Sequence, residues 1–137
     1  KRLGIPEGSD LLCSTLEFSY KDDDLGDPLI NSYMAKAIGA ATQEEIDVIT
    51  DYAFRVNDLL KSFFKGIGIE LIDFKLEFGK TADGTIVLAD EISPDTCRYW
   101  DMETGEHLDK DRFRRDLGDP EGAYKEVFAR MGFTEAD

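Results

Sequence analysis

Leu71-Ile72-Asp73-Phe74-Lys75-Leu76-Glu77-Phe78-Gly79, then Asp83-Gly84, then Thr85-Ile86-Val87-Leu88-Ala89-Asp90-Glu91 reads as a β-hairpin spanning Leu71 to Glu91. Alternation from Ile72 to Phe78 puts Ile72, Phe74, Leu76 and Phe78 on one strand face and Asp73, Lys75 and Glu77 on the other. Asp-Gly between two strand-like runs is a hairpin signal. With a two-residue loop, Ala82 faces Thr85 and Glu77 stands directly opposite Asp90. Opposed side chains share a face, with Cβ atoms roughly 4.5–5.5 Å apart, and like charges there destabilise the pair. Either solvent screens an ordinary polar face, or a hard divalent cation, shared with the phosphates of a nucleotide, offsets the repulsion. Lys75, lying between acids on the same face, makes the group a charged constellation on rigid elements. A longer loop would shift the register and separate the two acids.

The segment before the hairpin has the strongest helical pattern in the chain. Thr42 and Glu45 form a capping box; Ile46, Ile49, Ala53, Val56, Leu60 and Phe63 follow at three-four spacing, and Gly66 ends the run. A partner-binding coiled coil has the same pattern, but a single such helix in a mixed domain packs on its own sheet, here behind the apolar face of the hairpin. Farther back, Leu11 to Tyr20 reads as a strand, with Leu16, Phe18 and Tyr20 on one side. The aspartate-rich segment Lys21 to Pro28 lacks calcium-loop spacing and reads as a turn. Leu29 to Ile38 is a further helix candidate.

After the hairpin, Asp109 can cap a short helix from which Lys110 and Arg114, four apart, project on one face. With Arg98 they would make a phosphate clamp. The alternative is a surface set neutralised by Asp109, Asp111 and Asp116. His107, beside Glu106 in a polar turn, is expected to face solvent. Asp119-Pro120 caps a last helix, Glu121 to Arg130, with Ala123, Val127 and Met131 turned to the core.

A chain of 137 residues is one domain's worth, and 42% hydrophobic with 34% charged residues argues for a globular fold rather than disorder. A net charge of −14 disfavours wrapping a nucleic-acid backbone. No membrane-length apolar run is present, and two cysteines distant in sequence make no disulfide framework or zinc site. These features fit a reducing cytoplasm and neither nucleic acid nor membrane as a partner.

Leu71 to Gly79, Leu88 to Asp101 and Leu108 to Arg114 resemble, in order and spacing, three sequence blocks of the phosphoribosylaminoimidazole-succinocarboxamide synthases (SAICAR synthetases) of purine biosynthesis. The similarity begins at Lys1-Arg2-Leu3-Gly4-Ile5 and runs over nearly the whole chain. It implies an α+β fold, an antiparallel sheet with packed helices, related to ATP-grasp enzymes and protein kinase C-terminal lobes. It also implies a carbon–nitrogen ligase that joins the carboxylate of phosphoribosyl-carboxyaminoimidazole to L-aspartate through an acyl phosphate, with ATP and Mg2+. By the same resemblance Glu77 and Asp90 are the metal ligands and part of the ATP site, and Asp73 and Lys75 contact the imidazole substrate or the transferring phosphate. A lysine among acids stays protonated, so Lys75 suits charge stabilisation better than general base. Arg98, Lys110 and Arg114 match the substrate-phosphate pocket, and Asp27 borders the active site as a substrate contact. Leu88, with Ile86, is placed on the Glu77 face as part of a floor for adenine.

The chain opens without methionine, in mid-motif. Residues 1–137 are therefore expected to be a C-terminal ATP- and substrate-binding domain, with the N-terminal lobe absent from the chain and the activity of the piece alone in doubt. Many bacterial members of the family pair, which suggests a homodimer. A small-molecule kinase, or a non-catalytic fragment binding only the phosphoribosyl substrate, are the competing readings.

Overall fold

The computed structural model describes residues 2–133; Lys1, where the resemblance begins, lies outside the described residues. The chain divides into two compact units, Lys1–Asp47 and Val48–Asp137.

In the first unit, β1 (Phe18–Ser19) pairs antiparallel with β2 (Leu29–Ile30), and α1 (Ser32–Ala37) follows. The strand expected over Leu11 to Tyr20 is therefore only two residues long. Pairing is what makes a strand, and Leu11 and Leu12 have no partner strand and are exposed. The helix expected from Leu29 begins later, because Leu29 and Ile30 are taken by β2 and the Asn31 side chain accepts the Met34 N–H at 2.9 Å as the cap. The aspartate-rich segment is a turn. The Asp22 N–H donates to Asp27 Oδ1 at 2.8 Å, and the Leu25 N–H to Asp22 Oδ1 at 3.1 Å.

The long helix, α2 (Gln43–Lys65), starts at the expected box. The Glu45 N–H donates to Thr42 Oγ1 at 3.2 Å and the Thr42 N–H to Glu45 Oε1 at 3.1 Å. Its stripe ends on Phe64, 2% exposed, not on Phe63, 47% exposed. Steps of four from Val56 through Leu60 keep the last large ring on the inner face.

In the second unit, β3 (Ile69–Phe74) pairs antiparallel with β6 (Cys97–Asp101), while β4 (Glu77–Lys80) pairs antiparallel with β5 (Ile86–Ala89). The single long strand of the sequence reading is thus two strands with different partners. The register of β3 slips between Leu71 and Asp73, so Ile72 is an extra residue. That slip corrects the expected facing: Ile69 and Leu71 point inward, Ile72 is exposed, and Phe74 packs on the core. Phe64, Ile69, Cys97, Tyr99, Leu108 and Val127 form that core, with Leu60 and Leu71 against it. The Phe64 and Tyr99 rings sit 4.5 Å apart. Tyr52 of α2 stacks on Phe78 of β4 at 6.4 Å, so the helix backs both strands.

Two short helices complete the unit, α3 (Asp111–Arg114) and α4 (Pro120–Arg130). Asp119 Oδ1 accepts the Gly122 N–H at 2.9 Å, as the cap reading requires. Ala123 and Val127 are buried, but Met131 is 41% exposed, because the helix has ended at Arg130 and the chain turns away. Among the described residues no helix is long and apolar enough to cross a membrane. Both cysteines are free.

Candidate functional site

The β4–β5 turn contains three residues, Ala82 to Gly84, closed by the Thr81 N–H donating to Thr85 O at 2.9 Å. One residue more than the expected loop shifts the pairing, so Glu77 stands opposite Ala89 rather than Asp90. Leu88 accordingly pairs with Phe78 on the face away from Glu77, and the basis for an adenine floor on the Glu77 face is gone.

Asp90 nevertheless reaches the Glu77 side. Its φ of 97° ends the strand at Ala89 and redirects the side chain. Lys75 Nζ lies 3.0 Å from Glu77 Oε1 and 3.6 Å from Asp90 Oδ2, so one ammonium gathers both carboxylates. Lys75 itself is placed where the chain leaves β3, its N–H donating to Thr96 O at 2.8 Å. The Glu77 hydrogen bond leads in raising the lysine pKa, with Asp90 adding to it, so the side chain stays cationic. The Asp90 carboxyl is lowered first by hydrogen bonding at Glu91, whose N–H donates to Asp90 Oδ1 at 2.9 Å, and further by Lys75. Two carboxylates around one positive charge form an oxygen-only donor set, which suits a hard divalent cation.

A second charged group begins at Asp73, directly opposite Arg98 across β3 and β6. Arg98 Nη1 donates to Asp73 Oδ2 at 2.6 Å, and Arg98 Nε to Asp111 Oδ2 at 2.9 Å. Arg114 Nη1 donates to Asp111 Oδ1 at 3.3 Å and Nη2 to Asp95 O at 3.3 Å, while Lys110 Nζ lies 3.9 Å from Asp95 Oδ1. Lys110 and Arg114 thus both touch Asp95, one near its carboxylate and the other at its backbone carbonyl, and Arg98 joins Arg114 through Asp111. Burial opposes the charge of Asp111, but Arg98 and Arg114 hold its pKa below the usual value. Burial likewise opposes the Arg98 charge, and Asp73 and Asp111 more than restore it.

Asp109 and Asp111 are not the surface counter-ions of the alternative reading; they are 0% and 4% exposed. Asp109 Oδ2 accepts the Tyr99 N–H at 2.7 Å and Oδ1 the Asp111 N–H at 2.8 Å. The helix starts one residue later than expected, with Lys110 at the cap position and Asp109 anchoring its first N–H. His107 is also corrected: its ring is partly buried beside Trp100 at 5.0 Å, because a bridge between the two residues turns it inward. His107, Asp109 and Asp111 offer ligand atoms within 4.8 Å of one another. Asp109 already serves two backbone N–H groups and Asp111 two guanidiniums, whereas His107 Nδ1 is buried without a hydrogen-bond partner among the described residues, 3.7 Å from Asp111 Oδ2. Asp109 and Asp111 escaped the sequence reading as site residues, although their spacing about Lys110 was visible. Asp27, in the first unit, has a φ of 50° and closes the 22–27 turn with its carboxylate.

A family model described as SAICAR synthetase matches residues 1–131. A phosphoribosylaminoimidazole-succinocarboxamide synthase from Lachnoclostridium phytofermentans is 69% identical over 132 residues, covering 96% of this chain and 56% of the relative. One from Halalkalibacterium halodurans is 56% identical, covering 96% of this chain and 55% of its own length. Among solved structures, a SAICAR synthetase in complex with ADP superposes with a TM-score of 0.93 at 51% identity, covering 99% of this chain and 58% of that one. The Pyrococcus horikoshii SAICAR synthetase gives 0.91 at 51% identity, covering 99% of this chain and 59% of that one. The chain thus spans a little over half the length of these relatives.

Proposed function

Because the chain belongs to the SAICAR synthetase family, we propose that it serves the ATP-dependent joining of phosphoribosyl-carboxyaminoimidazole to L-aspartate, as its ATP- and substrate-binding domain. The relatives' shared name and the ADP in one neighbour support this reading. The observation that carries it is the meeting of Glu77 and Asp90 at the Lys75 ammonium.

A carboxylate resists attack by an amine. In this reading its oxygen first attacks the γ-phosphorus of ATP and ADP departs, leaving an acyl phosphate. The aspartate amine then attacks the acyl carbon, loses a proton and expels phosphate, and the amide remains. The first step brings two anions together, so cationic groups must compensate. Lys75, kept protonated by its two acids, stabilises the transferring phosphoryl group in this reading. Asp73, held by Arg98, faces the imidazole end of the substrate. Arg98, Lys110 and Arg114 take the ribose phosphate, and Asp27 is assigned a substrate contact by family resemblance. Glu77 and Asp90 would hold Mg2+, which supplies charge neutralisation between phosphates and carboxylate when bound. A cytoplasmic setting and pairing of two copies complete the reading, by analogy with bacterial relatives.

The test is phosphate release from ATP by the intact polypeptide, with and without added aspartate. Wild type should require aspartate, and Asp90→Asn should lose turnover by about a hundredfold or more while its CD spectrum and melting stay near wild type. Wild-type turnover in that variant removes the metal assignment. Aspartate-independent release with a hydroxyl acceptor favours a small-molecule kinase instead.

A further inference from the structure

Arg98 and Arg114 come from different elements, β6 and α3, yet one carboxylate engages both. Asp111 Oδ2 accepts from Arg98 Nε at 2.9 Å, and Oδ1 from Arg114 Nη1 at 3.3 Å. This carboxylate is 4% exposed, and its own backbone N–H is tied to the fully buried Asp109. Asp109 in turn holds the Tyr99 N–H in the core strand. The anchor is therefore fixed to the sheet. Arg98 also reaches Asp73 through Nη1, so a single guanidinium spans the two ends of the site.

Field strength alone argues against an acid here. A negative charge between two arginines lowers their attraction for any anion, and burying it costs desolvation. Orientation argues for it. Two forked donors locked at a set angle lose less freedom on binding a phosphate than two mobile ones.

Resting on the phosphate-pocket reading of Arg98, Lys110 and Arg114, we propose that Asp111 is a positioning residue that aligns Arg98 and Arg114 for the substrate's phosphate ester. The two effects predict opposite signs when its charge is removed. Ribose 5-phosphate binding to the intact polypeptide, measured by calorimetry with ribose as the phosphate-free control, reads the sign. Asp111→Asn should weaken ribose 5-phosphate by about tenfold. In turnover its loss should fall on KM for the phosphoribosyl substrate and leave KM for ATP near wild type. Arg114→Ala should weaken the same ligand, and the double variant should lose less than the product of the single effects.

Unchanged or tighter binding in Asp111→Asn overturns the positioning role while the phosphate pocket stands. So does an equal rise in both KM values, which is the signature of general damage. Unchanged binding in Arg114→Ala removes the phosphate-pocket reading, and the inference with it. If Asp111→Asn does not fold, Arg114→Lys decides: it keeps the charge but not the fork, and wild-type affinity there overturns the proposal.

Discussion

Asp109→Asn is the substitution whose cost follows most directly from the geometry. The wild-type carboxylate uses one oxygen for the Tyr99 N–H at 2.7 Å and the other for the Asp111 N–H at 2.8 Å. Asparagine keeps one acceptor and turns an NH2 group toward the second N–H. A buried donor left without a partner costs about 1–3 kcal/mol. Partly offsetting this, the amide carries no charge. In the wild type burial raises the Asp109 carboxyl above its usual pKa in spite of both N–H donors.

The net expectation is a loss of about 2 kcal/mol at neutral pH, from a total of roughly 5–15 kcal/mol for a domain. That corresponds to a fall in melting temperature of about 6–10 °C. The pH dependence has a definite sign. With the folded-state pKa above the unfolded value, the contribution of Asp109 is complete below the unfolded pKa and fades as pH rises through the folded one. The variant lacks that contribution, and the other acids cancel in the comparison. The stability gap should therefore widen as pH falls from neutral toward 4. Urea unfolding followed by CD at both pH values measures it. A melting shift under about 2 °C at neutral pH, or a gap that narrows on acidification, refutes the reasoning.

Asp101 has the opposite pH behaviour. Its carboxyl is pulled well below the usual range by the Thr104 N–H and by Arg130, so its contribution is present above the unfolded pKa and lost as pH falls through the folded one. Asp101→Asn should flatten the acid limb of the stability profile below about pH 4, and an unchanged limb contradicts the assignment. Gly84→Ala puts a side chain at φ 88° in open space, so backbone strain alone should cost about 1 kcal/mol in thermal unfolding. Thr42→Ala removes one half of the α2 capping box. It should also cost about 1 kcal/mol, and Thr42→Ser should restore most of that.

Features governed by neighbours in sequence were legible beforehand. The Thr42–Glu45 box, the length of α2 and the Asp119 cap each depend on a few adjacent residues and stand where local chemistry puts them; the Asp83-Gly84 turn stands there too, but one residue longer than its local signal implied. The three-block resemblance was equally readable, and the family match agrees with it. Here sequence distance and spatial distance are nearly the same thing.

Backbone pairing over long separations decided the rest. No alternation pattern tells β3 that its partner is β6, or that Ile72 is squeezed out of register when they pair. One extra residue in the β4–β5 turn moved Asp90 off its expected opposition to Glu77, and a left-handed backbone at Asp90 brought it back to Lys75. The burial of Asp109 and Asp111 belongs to the same class. Sequence alone marks a carboxylate as polar; the Tyr99 N–H behind Asp109 and the Arg98 and Arg114 guanidiniums around Asp111 supply the buried partners that let each sit inside.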